Sequence, residues 1–193
     1  DVSDKWKIEY INFIMEQGPT YDTFFGNELE EYKLLNINGD NIPELYINEG
    51  GPYGTLSTYS NDTLISLPIW SFGFSYIESQ NLFMNSTGRM DSYSDEIYKI
   101  ENGEFVLIQK GDYGVPDNSN VQVDAEGLTI YEYYWNDVKL SSEAEYQNLL
   151  YSAYDEQKAS RPYDGAEYDS EQGRYVGNEI CNYSEILMAI KNY

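Results

Sequence analysis

Residues 98–106 read Tyr-Lys-Ile-Glu-Asn-Gly-Glu-Phe-Val, and this stretch decides the fold class. Residues that favour strands flank Asn102-Gly103 on both sides. Asn and Gly both tolerate positive φ, so this pair suits a two-residue type I′ turn. Two strands joined by so short a turn must run antiparallel. The stretch therefore predicts an antiparallel β-hairpin.

Similar short runs extend outward from this hairpin and are separated by Gly, Asn and Asp. They cover residues 33–37, 44–48, 55–59, 63–67, 81–85, 96–100, 104–110 and 128–135. Thr87-Gly88 and Glu126-Gly127 resemble the Asn-Gly turn but are weaker signals. The pattern predicts an antiparallel meander over about residues 31–135, with irregular turn spacing that argues against a propeller or solenoid.

A helical pattern precedes the meander. Trp6, Tyr10 and Ile14 follow an i, i+4, i+8 spacing, which predicts an amphipathic helix over about residues 4–17. Gly18-Pro19 ends this pattern.

Helices are also predicted after the meander, in a C-terminal part of about residues 142–193. Ser142 and Glu145 form a capping box before one helix, and Ser184 is placed to cap another. Residues 159–177 are polar and lack periodicity, which predicts a long loop. Residues 1–193 are therefore expected to form a single α+β domain, in which the helices pack on one face of an antiparallel sheet.

The composition is acidic and rich in aromatic residues. The 193 residues include 21 Tyr, which argues against intrinsic disorder, and the formal net charge is −23. Such a charge repels nucleic acid and anionic membranes, so neither is expected as a partner. The chain has no His and one Cys, Cys181. Serine–histidine and cysteine–histidine catalysis, His-based zinc sites and an internal disulfide are therefore excluded.

Several features favour a protein outside the cell. The chain begins at Asp1 rather than at Met, which favours a processed form. The most apolar stretch, residues 64–77, is interrupted by Ser, Gly and Pro and is too short and too polar to span a bilayer. With the acidic, Tyr- and Asn-rich composition, these features favour a secreted or cell-surface anchored protein. An acidic cytosolic protein is the alternative.

One segment carries a pattern with defined chemistry. Oxygen-bearing side chains recur at Asn36, Asn38 and Asp40, and Glu44 follows. Calcium prefers six to eight oxygen ligands, which alternate residues of a tight turn can supply. Asn36, Asn38, Asp40 and Glu44 would contribute side-chain oxygens, and Ile42 would contribute its carbonyl. The segment therefore predicts a structural calcium site with an affinity on the order of 10⁻⁴ to 10⁻³ M, as in extracellular modules.

The same segment departs from the EF-hand pattern. The sixth position is Asn41 instead of Gly, and the twelfth is Ile47 instead of a bidentate Glu. Pro43 and the residues after it predict a strand rather than a helix. A metal-free turn is the alternative, because Asn and Asp side chains bond to nearby backbone amides and tolerate left-handed φ.

Residues 31–47, which read EYKLLNINGDNIPELYI, resemble a recurring DINGDGIPEL-type segment. This segment occurs in poorly characterised secreted proteins and lipoproteins of clostridia-like Gram-positive bacteria. The hairpins at 58–61 and 98–103 and the helix at 183–187 are also similar to that group. The resemblance implies export and lipid anchoring, but no known reaction. Asn36 stands where the group usually has Asp, which implies a lower calcium affinity.

Three functions follow from these patterns. A non-enzymatic, secreted or cell-surface domain with a calcium-stabilised loop is the first. A carbohydrate- or peptide-binding surface module is the second, because Tyr131, Tyr133 and Trp135 alternate on one strand face and could stack on a ligand at the cell surface, a glycan or a protein. A sheet face packed under a helix would show the same alternation. A hydrolase with paired carboxylates is the third.

Overall fold

The structure is a computed structural model that describes residues 4–23 and 26–193. Within these residues it has three α-helices and twelve β-strands. The helices are α1 (Lys5–Gln17), α2 (Glu143–Ala153) and α3 (Tyr183–Asn192). The strands are β1 (Glu31–Leu35), β2 (Glu44–Asn48), β3 (Tyr53–Ser60), β4 (Thr63–Trp70), β5 (Phe74–Ile77), β6 (Leu82–Arg89), β7 (Ser92–Glu101), β8 (Glu104–Gly114), β9 (Glu132–Trp135), β10 (Val138–Lys139), β11 (Glu167–Asp169) and β12 (Arg174–Val176). The predicted α+β class is confirmed.

All strand pairs between neighbouring strands are antiparallel, and tight turns explain why. Asn102 and Gly103 both have positive φ, 54° and 81°, as the predicted type I′ turn requires. Asn61-Asp62, between β3 and β4, repeats this conformation. The strands form a four-stranded sheet in the order β1-β2-β3-β4 and a six-stranded sheet in the order β10-β9-β8-β7-β6-β5, with β11 and β12 as a separate hairpin.

The predicted single meander is thus divided into two sheets. A short 3₁₀ turn over Ser71–Gly73 separates β4 from β5 and redirects the chain. Gly73, the last residue of this turn, lies so close to β6 that a Cβ there would stand 1.9 Å from the carbonyl oxygen of Ser86. Strand β5 itself was not predicted, because it lies within the apolar stretch 64–77.

The sheets and helices form four layers. Helices α1 and α3 pack on one face of the four-stranded sheet, the two sheets pack on each other, and α2 covers the outer face of the six-stranded sheet. Strand β2 shows how the layers arise, because Leu45 and Ile47 face α1 whereas Tyr46 faces the second sheet. The helices therefore lie on opposite outer faces, where the sequence predicted one face.

The helix ends correct two details of the sequence analysis. Asn182, and not Ser184, caps α3, since its side chain accepts from the Glu185 N–H at 2.9 Å and the Glu185 carboxylate accepts from the Asn182 N–H at 2.8 Å. Ser142 caps α2 as predicted. The carboxylate of Glu145 bonds to Ser141 instead of completing the box.

The turn predicted at Thr87-Gly88 lies at residues 90–91, both with positive φ.

The segment between α2 and α3 connects the edges of both sheets. Ser160 pairs with Tyr76 on β5, and Cys181 pairs with Tyr32 on β1. Between these two pairs the segment forms the β11–β12 hairpin, so residues 159–177 are not the uniform loop that the sequence predicted. Among the helices in the described part of the chain, none combines the length and apolar character needed to cross a membrane.

Candidate functional site

The candidate site is a cleft where the edge of β1, the end of β5 and the C-terminal segment meet. It has a volume of about 530 Å³. Lys33, Tyr76 and Pro43 are buried residues at its floor, whereas Glu78, Asp164 and Glu179 are exposed. Its remaining lining residues are Leu34, Leu35, Asn36, Ser160, Arg161, Asn178 and Tyr193. The cleft therefore combines buried floor residues with a charged rim.

Lys33 is the unusual residue of this floor. It lies on β1 and is only 5% exposed. Its ammonium donates one hydrogen bond, to the Pro162 carbonyl at 3.1 Å, and forms no ion pair within residues 4–23 and 26–193. An ammonium has three donors, so two of its N–H groups have no hydrogen-bond acceptor within residues 4–23 and 26–193. Buried lysines are rare without an oppositely charged partner, which makes this position a candidate for ligand binding.

Electrostatics connect the floor of the cleft to its rim. Burial lowers the pKa of the Lys33 ammonium, and the carboxylates of Glu179, Asp164 and Glu78 offset part of this effect. Burial, together with the charges of the same three carboxylates, raises the pKa of Tyr76 to about 12. Both floor residues thus lie within the field of one group of rim carboxylates.

Two further cavities adjoin the cleft. One of about 340 Å³ is lined by aromatic rings that include Phe72 and Tyr175, and one of about 300 Å³ lies against β5 and β6. Arg161 and Asp164 line all three cavities. Arg161 is exposed and, like Lys33, belongs to no ion pair in the described residues. The three cavities therefore meet at residues 160–164, and together they are called the groove here.

A buried polar network holds the central segment of the groove in place. Glu31 is 7% exposed, and its carboxylate accepts from the Tyr163 hydroxyl at 2.7 Å and the Tyr175 N–H at 2.6 Å. Asn48 donates to the Tyr163 hydroxyl at 2.6 Å. Because these bonds join β1, β2 and the C-terminal segment, the walls of the groove are fixed by elements far apart in the chain.

The predicted calcium loop borders the cleft, and its side chains bond to the protein itself. Asn38 accepts from the Asp40 N–H at 2.9 Å, and Asp40 accepts from the Ile42 N–H at 2.7 Å and from the Asn38 amide at 2.8 Å. Asn36 donates to the Ser79 hydroxyl at 2.6 Å. Positive φ falls on Gly39 rather than on Asn41. These are the bonds of the metal-free Asx turn.

Glu44 lies beneath this loop and is 1% exposed. Its carboxylate accepts from the Ile37 N–H at 3.0 Å and, more weakly, from the Thr58 hydroxyl at 3.4 Å. Burial, with a smaller contribution from the charge of Asp40, raises the pKa of Glu44 to about 8. The predicted ligands thus have the oxygen chemistry that calcium prefers, but binding would require proton loss from Glu44 and exchange of loop hydrogen bonds for the ion. Calcium binding stays a prediction.

Of the predicted aromatic face, Trp135 is buried, whereas Tyr131 and Tyr133 are half-buried. Trp135 is 8% exposed, donates to Gln109 at 3.0 Å and lies edge-on to Tyr146 of α2. Tyr133 packs against the same Tyr146 ring. Tyr131 precedes β9, and its hydroxyl donates to Asp91 at 2.9 Å. Trp135 therefore presents no open ring to a ligand, as expected for a sheet face under a helix.

Sequence reasoning missed the cleft, because its residues carry no local motif. Lys33 was placed only as part of a strand, and Arg161 and Asp164 only within a polar loop. The one usable signal was a lysine in a run that alternates with core residues, at a position that should be buried.

Comparison with models of protein families, with curated proteins and with solved structures finds no match to this chain. The resemblance of residues 31–47 to exported clostridial proteins thus stays a prediction.

Proposed function

We propose that this chain is a secreted or cell-surface binding domain that holds a short peptide or glycan in the groove around residues 160–164. The observation that supports this role most is the meeting of three cavities at Arg161 and Asp164. Concave sites with a few convergent polar groups are typical of ligand binding. The role needs no chemical step. Its extracellular location rests on the composition and on the resemblance at residues 31–47.

Two features of the groove favour a polar, extended ligand. Arg161 and Lys33, which form no ion pair in the described part of the chain, provide donors in a chain whose other charges are mostly negative. Phe72, which is 67% exposed, provides an apolar surface at the lip of the aromatic cavity. Peptides and glycans both combine hydrogen-bonding groups with apolar faces, so both suit this surface.

The test is a titration of isotope-labelled protein with mixed short peptides and, separately, with mixed oligosaccharides, followed by two-dimensional amide NMR. We expect shifts that cluster at residues 160–164 and that weaken in Arg161→Gln. Arg89→Gln is the matched control, because Arg89 is an exposed arginine at the end of β6, outside all three cavities. Shifts centred on residues 131–135, or none from any pool, would contradict the proposal.

A structural calcium ion at residues 36–44 is the second candidate function. It is favoured by the proximity of two carboxylates, since the charge of Asp40 raises the pKa of Glu44. A cation between them would relieve this repulsion. At about 1 mM calcium, an affinity of about 10⁻⁴ to 10⁻³ M would stabilise the fold by roughly 0.4–1.4 kcal/mol.

Scanning calorimetry with calcium and with EGTA tests this candidate. The pH should lie above 8, because calcium must compete with the proton of Glu44. We expect a rise in Tm of about 1–5 °C with calcium, absent from Asp40→Asn. Equal melting temperatures in calcium and EGTA would end the calcium hypothesis and leave the groove proposal intact.

A further inference from the structure

The cleft around Lys33 has a charge pattern that restricts its ligand. Its floor carries one ammonium, and its rim carries the carboxylates of Glu78, Asp164 and Glu179 together with one guanidinium, that of Arg161. A simple anion would meet three carboxylates on entry, in a protein whose net charge is already −23. A simple cation would meet the Lys33 ammonium at the floor. Neither charge alone suits both levels of the cleft.

We infer that the cleft binds a small zwitterion, an amino acid or a short peptide, with its carboxylate on Lys33 and its ammonium among the rim carboxylates. This assignment rests on the binding role proposed above and names the ligand class. A carboxylate would accept from the two N–H groups of Lys33 that have no acceptor in the described residues, at a buried position where charge-assisted hydrogen bonds are strong. An ammonium at the rim would reduce the repulsion among Glu78, Asp164 and Glu179.

The remaining polar groups of the cleft suit a peptide backbone. Asn36, Asn178 and Ser160 line it and offer amide and hydroxyl groups, whereas Leu34 and Leu35 provide only a small apolar part. The volume of about 530 Å³ has room for a dipeptide, and the adjoining cavities at Arg161 leave space for a longer chain. The ligand is therefore expected to be recognised by its charged ends more than by its side chains.

Three dipeptide probes separate the two charges. Glycylglycine carries both, N-acetylglycylglycine carries only the carboxylate, and glycylglycinamide carries only the ammonium. Each is titrated to about 50 mM into labelled protein, with amide shifts of residues 33–36 and 160–164 as the readout. We expect glycylglycine to bind at least about tenfold more tightly than either blocked probe, since each blocked probe loses one charge-assisted contact.

Two variants test the assignment of each charge. Lys33→Met keeps the length of the buried side chain and is expected to abolish the preference for a free carboxylate. Glu78→Gln changes only an exposed rim residue, so it tests the ammonium site even if Lys33→Met fails to fold. It is expected to reduce the preference for a free ammonium severalfold. Lys139→Met is the control, because Lys139 pairs with Glu132 on the other sheet.

The outcomes separate this inference from the binding role itself. If both blocked probes shift the cleft residues as strongly as glycylglycine does, the zwitterion assignment is wrong and the groove proposal survives. If no dipeptide shifts the amides of the cleft while a glycan pool does, the zwitterion assignment is likewise wrong, and the groove proposal survives. If neither the dipeptides nor any pool shifts residues 33–36 and 160–164, both proposals fail.

Discussion

Glu44→Gln should change how the stability of the protein depends on pH. The folded state holds the pKa of Glu44 at about 8, against 4.5 for a free glutamate side chain, mainly because the carboxyl is buried. The folded protein therefore binds this proton more tightly than the unfolded chain does. Stability is highest when Glu44 is protonated in both states, falls as the pH rises past about 4.5, and levels off above about 8.

The magnitude follows from the difference in pKa. One pKa unit of difference corresponds to about 1.4 kcal/mol, so the free energy of unfolding falls by up to that much for each pH unit between about 5 and 8. From about pH 5.5 to about pH 7.5, Glu44 should lower the free energy of unfolding by about 2.5 kcal/mol. Gln at this position can still accept from the Ile37 N–H but does not ionise, so this part of the pH dependence should disappear.

Urea unfolding followed by tyrosine and tryptophan fluorescence measures the effect at both pH values. The loss of stability from the lower to the higher pH should be about 2.5 kcal/mol larger in the wild type than in Glu44→Gln. Glu126→Gln is the control, because it removes one charge from an exposed turn and should leave the pH profile parallel to that of the wild type. Parallel profiles for the wild type and Glu44→Gln would refute the reasoning and place an ionised Glu44 in the folded state.

Three further substitutions test the packing and the turns by urea unfolding. Trp135→Ala should lower the free energy of unfolding by about 3–5 kcal/mol, because the ring packs under α2, and an unchanged stability would return it to the surface as a binding residue. Gly103→Ala should lower the free energy of unfolding by more than the roughly 1–2 kcal/mol expected for positive φ alone, because its Cβ would stand 2.4 Å from the Ser60 Cβ. Gly127→Ala is the control, because Gly127 has positive φ but open space around it. Equal losses of stability in the two variants would refute the close approach. Asn182→Ala should cost about 1 kcal/mol and Ser184→Ala clearly less, and the reverse order would restore Ser184 as the cap.

The local part of the fold could be predicted from the sequence. Asn102-Gly103 determines its own conformation, so the β7–β8 hairpin and its direction follow from two residues. The turn at residues 90–91 was misplaced because Met90 carries no turn signal, whereas Gly88 does. Gly88 is required for another reason, since a Cβ there would stand 2.3 Å from the Tyr93 ring. A glycine can thus mark close packing as well as a turn.

The long-range part could not be predicted from sequence patterns. The alternation of Tyr131, Tyr133 and Trp135 is the same whether a ligand or a helix covers the face, and only the position of α2 decides. Lys33 meets Pro162, which is 129 positions away in sequence, so no local motif marks the cleft. The division into two sheets depends on how the chain bends at Gly73. Such contacts are properties of the assembled layers.

The pairing of Ser160 with Tyr76 and of Cys181 with Tyr32 has a consequence for biosynthesis. A ribosome makes Ser160 and Cys181 long after their partners. A nascent chain therefore has an open strand edge at β5 until residue 160 has emerged and at β1 until residue 181 has emerged. The newborn polypeptide should therefore expose these two edges to chaperones and to strands of other chains until both pairs have formed.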